Sequence, residues 1–411
     1  MLSSPQDGVA RDPVAGDELE ARVRQWRHHL HAEPELGFAE FGTSSFIASV
    51  LDGLGVHVST GIGGTGVVGT LTRGTSTRVI GLRADMDGLA LDETGNREYA
   101  SRNDGVMHAC GHDGHMAMVL GAAAALSSNP SFDGTVRFVF QPAEEHGRGA
   151  RAMIDDGLAT RFPMDGIYGL HNLPGVPAGQ FQTRAGAIMA SEDTFEITIR
   201  GRGGHAARPH MVVDPIVIGA EIVLALQTIV ARTVDPQRPA VVSCTEFITD
   251  GVRNAIPGTV IIRGDTRSYD GAVQEVLEAR MRSLCSGIAT AHGGSCTVTY
   301  RHEFEPTVND PACVSLAVQA ARAALGDQAV DDDCPPIMAS EDFGALARVI
   351  PGCFAFLGNG ETGGPGGAPL HSRDYDFNDE TLMSGVAYYV ALVNGVLSTS
   401  SSPTAPHRVT S

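Results

Sequence analysis

Two regimes of hydrophobic patterning divide this 411-residue chain, and they call for two kinds of sheet. In the first regime the apolar runs TGVVGTLT (65–72), RVIGLRADMD (78–87), TVRFVFQPAEE (135–145) and GIYGLHN (166–172) read as strands buried on both faces. Helical runs at 46–54, 116–126 and 149–158 separate most of them, which predicts an α/β sheet with helices on both faces. From about 190 to 305 the order becomes strand DTFEITIRGR, helix DPIVIGAEIVLALQTIVAR, strands AVVSCTEFITD and TVIIRGDTRS, helix AVQEVLEARMRSLCSGIATAHG and strand SCTVTYRHEF. That β-α-β-β-α-β order is the ferredoxin-like split motif. The α/β character then resumes with a helix at 310–325, a strand at 353–358 and a closing helix at 378–397. The expected organisation is an α/β domain in two parts, 17–188 and 307–397, with a satellite inserted at 189–306. Residues 1–16 and 398–411, polar and rich in Ser, Pro and Thr, are expected to be loose ends.

Charge narrows the function. The formal net charge of −19 is the wrong sign for a nucleic-acid binder or for a protein drawn to an anionic membrane. All 29 basic residues are Arg. Schiff-base chemistry, pyridoxal-phosphate anchoring, a phosphate-loop lysine and Ser-Lys hydrolysis are therefore excluded, because each needs an amine. Seven Cys without a C-x-x-C pair form no disulfide framework. With no apolar leader, and no run of about 18 apolar residues free of charge, the expectation is a cytoplasmic protein. Residues 216–231 carry only Glu221, Gln227 and Thr228 as polar positions. A helix so apolar needs cover on nearly every face, which points to a partner surface in a homodimer or, alternatively, to cover by the parent domain.

The densest chemical cluster is MHACGHDGH (107–115), holding Cys110, His112, Asp113 and His115. A thiolate and imidazoles this close suit a transition metal of borderline softness, whereas the C-x-H spacing is too short for a structural zinc finger. Glu144 and Glu145 end the run TVRFVF, where active sites collect in parallel sheets. Beside a metal, one such carboxylate can ligate while the other moves protons. His171 and His371 are single histidines at a strand end and in a Gly/Pro-rich loop. Asp85 and Asp87 are candidate ligands or orienting carboxylates. In the insert, glycines precede His205, and Arg267 could hold a carboxylate as a bidentate partner.

Taken together, RHHLHAEPELGFAE, GLRADMDGL, MHACGHDGH, FQPAEE, GLHN, GRGGHAARPH, RNAIPG, SEDF and LHSRDYDFND resemble the dinuclear metal aminoacylase/carboxypeptidase family of peptidases. The likeness spans roughly residues 17–397 and is strongest to the branch of hippurate and indole-acetyl-amino-acid hydrolases. It implies a zinc-exopeptidase-like α/β catalytic domain carrying a ferredoxin-like satellite that mediates dimerisation. It also implies two divalent ions (Zn, Mn, Co or Ni) held by Cys110, His112, Glu145, His171 and His371, with Cys110 bridging. Glu144 becomes the general base, and His205 and Asn254 the oxyanion stabilisers, with His205 acting across a dimer interface. Arg267 becomes the partner of the substrate carboxylate, and Asp87 a residue that orients the site.

The implied reaction is hydrolysis of an N-acyl amino acid to a carboxylic acid and a free amino acid. Competing readings are a dipeptidase or carboxypeptidase, a metal-dependent binding protein without turnover, and a hydrolase using Cys110 as nucleophile. The chain departs from the branch at His146 and Arg148, where small residues are usual. Asp265 stands in place of Thr beside Arg267, and Ala339 in place of Gly.

Overall fold

A computed structural model describes residues 16–129 and 131–398; the loose-end readings for 1–15 and 399–411 fall outside the described residues. At its centre four parallel strands lie side by side in the order Gly134–Gln141, Val79–Asp85, Gly166–Pro174 and Gly352–Gly360. Neighbouring residues enter different cores: Val67, Phe138 and Tyr168 on one face, Val68, Val139 and Ile167 on the other. Side chains alternate across a strand, so a continuous apolar run is what a sheet covered on both faces requires. One cover includes helices Gly16–Ala32, Phe41–Gly53, His112–Ser128, Pro311–Leu325 and Leu382–Val396; the other includes Gly149–Asp155 and Phe343–Ala347. The sheet is mixed at its margins. Strands His57–Ile62 and Gly66–Arg73 add an antiparallel hairpin at one edge, and the short strands Phe181–Gln182 and Val330–Asp331 extend the other.

The second sheet has four antiparallel strands in the order Ala240–Thr249, Thr259–Ser268, Ser191–Arg200 and Ser295–Phe304. Helices Pro215–Arg232 and Gly271–Ala291 cover one face over a separate core that includes Ile197, Ile199, Ile222, Leu277 and Met281. Asp214 and Asp270 start these helices by accepting the amides of Ile216 and Ala272. Pro215–Arg232 is long and apolar enough to cross a membrane by length and composition. Here its inner stripe of Ile218, Ile222, Leu226 and Ile229 packs on the sheet, while Val217 and Leu224 face outward, Leu224 72% exposed.

Helix Gly16–Ala32 is not apparent from apolar spacing, because its inward face includes Arg27 and His31 beside Leu19, Val23 and Leu30. Arg27 is fully buried among Asp113 (Nε to Oδ2, 2.9 Å), Asp376 and Asp379. His31 bridges Asp113 Oδ2 at 2.8 Å and Glu93 Oε1 at 3.3 Å. This charged seam ties the first helix to the start of His112–Ser128 and to the segment after His371.

Burial pushes the Glu93 carboxyl up, but hydrogen bonds from His31, the Ser101 amide and Arg97 outweigh it and hold the group down at about 2. Its stabilising contribution is therefore complete above its ordinary value of 4.5 and is lost as pH falls toward 2. Thermal midpoints measured across that window should fall less steeply for Glu93→Gln than for the parent chain; parallel curves would remove Glu93 from the acid response.

Candidate metal centre

The parallel strands deliver their carboxyl ends to one rim, and the loops there supply the polar groups. Asp85 closes its strand opposite Gln141, and His171 lies beside Phe356 on the last central strand. Gly111 has φ +90 and separates Cys110 from the first residue of helix His112–Ser128. A Cβ at Gly111 would meet Asn172 Oδ1 at 2.3 Å, so glycine alone allows this approach. Adjacent residues of a straight strand would point apart, yet Glu144 and Glu145 share one cavity rim. Ala143 adopts φ +47, and Asp87 accepts the amide of Glu144 (3.0 Å) with one oxygen and that of Glu145 (3.1 Å) with the other. His371 also has positive φ, at +59. Two such strained residues flanking one site mark backbone held for the geometry it produces.

Each predicted ligand offers an atom to this rim. His112 turns Nδ1 to the Asp87 carbonyl at 2.9 Å, leaving Nε2 buried without a hydrogen-bond partner. Glu145 Oε1 is also buried and unpartnered, 3.9 Å from His112 Nε2 and 3.4 Å from His371 Nε2. His171 donates Nδ1–H to the Asn172 carbonyl at 2.7 Å, which turns its Nε2 lone pair toward Cys110 Sγ at 3.4 Å. Ligand atoms of Cys110, Glu145 and His371 lie within 4.8 Å of one another, as do those of His112, Glu144 and Glu145. Cys110 thus touches both the His171 side and the Glu145–His371 side.

The residues fit divalent ions. Orphaned buried atoms facing a thiol and imidazole lone pairs are what a cation would satisfy, and backbone carbonyls hold His112 and His171 in the required tautomers. Burial, then Glu145 and Glu144, push the Cys110 thiol well up, so a cation must displace its proton. Burial pushes His112 down, but Asp85, Asp87 and Glu145 outweigh it and raise the group to about 10. Burial and the neighbouring His115 hold His171 well below the usual range, which keeps it neutral.

A second group, Asp85, His112, His115 and His171, also has ligand atoms within 4.8 Å and constitutes a candidate metal site. Its members are more fully engaged: His115 spans Asp85 Oδ1 (2.6 Å) and Asn172 Oδ1 (2.7 Å), and Arg83 takes the other Asp85 oxygen at 2.9 Å. Glu341 and Asp342, from the SEDF segment, complete a buried carboxylate group with Glu144. Sequence reasoning gave neither of them a role; only their place beside a buried Arg83 does so.

The insert residues stand apart. His205 and Asn254 are exposed and meet on the short ladder of Gly204–His205 with Ala255–Ile256, where the Ala206 amide donates to the Asn254 carbonyl at 3.1 Å. Among the described residues, no hydrogen bond or ion pair joins either side chain to the donor cluster. Arg267 does hold carboxylates, but they are the protein's own: Asp265 at 2.9 Å and Glu192 at 3.0 Å.

Residues 81–395 match peptidase family M20/M25/M40. The chain belongs to that family. Hippurate hydrolase of Campylobacter jejuni is 40% identical over 375 residues, covering 91% of this chain and 96% of its own. N-acetyl-L-cysteine deacetylase of Bacillus subtilis is 38% identical over 380 residues, covering 92% and 89%. The crystal structure of a dinuclear metal-binding M20 peptidase from Bacillus subtilis superposes with a TM-score of 0.79 at 30% identity, over 93% of this chain and 99% of that one.

Within this M20-family site, Asp87 holds two consecutive amides, those of Glu144 and Glu145. Asp87→Ala should weaken metal binding about 10–100-fold, the range for residues that orient ligands. Competition with a chromophoric chelator measures it; unchanged affinity in a folded variant would show that Glu144 and Glu145 hold their places unaided.

Proposed function

We propose that this protein is a metal-dependent amidohydrolase that cleaves the amide bond of N-acyl amino acids, releasing a carboxylic acid and a free amino acid. The observation that carries the reading is Glu144, a buried carboxylate beside the unpartnered donors of Glu145 and His112. The relatives named for hippurate and N-acetyl-cysteine point to the same substrate class. Cys110, His112, Glu145, His171 and His371 would hold two divalent ions, which when bound supply Lewis acidity that activates water near neutral pH and polarises the scissile carbonyl.

Glu144 moves the proton. Burial, reinforced by Glu341, Glu145 and Asp342, holds it well above the usual carboxylate range. A group so placed takes a proton from the attacking water and returns it to the departing nitrogen. Asp87 keeps Glu144 aimed through its amide. His205 and Asn254, exposed and away from the donors of their own chain, would stabilise the oxyanion of a second copy's site.

Replacing Glu144 with Gln should lower turnover by about 10²–10⁴-fold while leaving metal content unchanged. Amine release from N-benzoyl, N-acetyl and dipeptide substrates, with chelated enzyme before and after adding Zn or Mn, tests the class. Release from acyl substrates that returns only with metal supports the reading; release from dipeptides alone would make the protein a peptidase.

A homodimer would cover the outward stripe of Pro215–Arg232. Sedimentation should give twice the 43.0 kDa chain mass, falling to one chain mass for Leu224→Asp. A monomeric parent protein at micromolar concentration would sink this arrangement.

A further inference from the structure

Between helices Gly16–Ala32 and Phe41–Gly53 runs the segment 33–40, which gives no ligand atom to the donor groups of the rim. It nevertheless lies against both turns that build that rim. The amide of Gly88, next to Asp87, donates to the Glu35 carbonyl at 2.7 Å, and Leu36 is bridged to Gly88. Gly37 passes so close to the Ala143 turn that a Cβ there would meet Ala143 Cα at 3.0 Å. The segment ends in Glu40, which is fully buried.

Glu40 Oε1 accepts the Ala143 amide at 2.8 Å, and its Oε2 accepts the Thr65 hydroxyl at 2.6 Å. Together with Asp87, it makes three consecutive amides, those of residues 143, 144 and 145, that end on buried carboxylates at 2.8, 3.0 and 3.1 Å. The amide of Ala143 belongs to the peptide plane before its Cα, and the amide of Glu144 to the plane after it. The dihedral angles of a residue are set by those two planes. Ala143 is also the residue at φ +47, a region that a side chain occupies only when its surroundings impose it.

We propose that Glu40 is a positioning residue for the proton-transfer step: it holds the plane before Ala143 while Asp87 holds the plane after it, and the two set the turn that aims Glu144. This rests on the reading of Glu144 as the proton carrier. What Glu40 supplies is the reach of an acceptor rather than its charge. Gln at this position still offers an oxygen to the Ala143 amide and an N–H to the Thr65 hydroxyl. Asp, one methylene shorter, withdraws from both. A reacting group displaced by about 1 Å can lose about 10²-fold in rate.

The test compares Glu40→Gln and Glu40→Asp with the parent protein, loaded with Zn, on N-benzoyl-glycine, each alone and combined with Glu144→Gln. Expected is a kcat about 10–100-fold lower for Glu40→Asp, with KM and metal content unchanged, and a kcat within about threefold of the parent for Glu40→Gln. In the Glu144→Gln background Glu40→Asp should change turnover by less than about twofold, because a carboxylate already removed cannot be misaimed. Hydrogen exchange of the metal-free proteins gives a reading independent of turnover: the Ala143 amide should exchange about tenfold faster or more in Glu40→Asp and stay protected in Glu40→Gln. Parental kcat in Glu40→Asp, equal losses in both variants, losses that add to that of Glu144→Gln, or an Ala143 amide protected alike in both each overturn the proposal. So does loss of metal or of helical circular dichroism in Glu40→Asp, which would make Glu40 a packing residue. Parental turnover in Glu144→Gln alone overturns the proton-carrier reading, and the proposal with it; no release by the parent protein overturns the amidohydrolase reading, and hydrogen exchange then decides whether Glu40 holds the turn.

Discussion

The buried guanidinium of Arg83 is the interaction on which the rim of the candidate metal site depends. It projects from the centre of Val79–Asp85, shielded from water, and reaches Asp85 at 2.9 Å, Glu341 at 2.8 Å and Asp342 at 3.1 Å, while its Nε donates to Gln141 at 3.0 Å. Without that cation the carboxylates would be buried and uncompensated, a state that costs about 3–5 kcal/mol when one partner of such a pair is removed. Asp85 in turn holds His115, and Asp342 accepts amides of Gln141 and Ala150 on either side of the Glu144 turn. One charge thus fixes the strand end, the turn that carries Glu144 and the segment behind it.

Around that anchor, functions separate by what each atom has left to offer. His112 and His171 spend one ring nitrogen on a carbonyl and keep the other free. His115 spends both. Asp87 spends both oxygens on amides, which turns a strand end into a rim carrying two carboxylates on the same side. The excess of acidic groups at this rim is tolerable in a buried place only with cations nearby. Arg83 supplies one such charge, and the unpartnered donors mark where more would sit.

Much of the architecture was legible because it repeats. Apolar runs such as 78–87 and 166–172 read as strands covered on both faces, and the β-α-β-β-α-β order predicted the second sheet. Helix Gly16–Ala32 escaped, since a buried Arg27 and His31 break its apolar period and their partner Asp113 lies some eighty residues away. The antiparallel hairpin at one edge of the sheet carries a mixed burial pattern in His57–Ile62, which gives little periodic signal. In the candidate site, MHACGHDGH and the Glu144–Glu145 pair stood out by composition. The parts played by Glu341, Asp342 and the Ala143 turn did not, because nothing local distinguishes a buried acid from a solvated one.

By itself the sequence determined the residue types available for chemistry, the absence of any lysine amine, and the two sheet types, since side-chain direction follows directly from the local backbone repeat. Tertiary structure alone decided which lone pairs remain unspent, that two neighbouring glutamates face the same way, and that Arg267 meets its own protein's carboxylates. Those outcomes depend on partners distant in the chain, and hydrogen bonding and charge compensation are settled only when those partners come within reach.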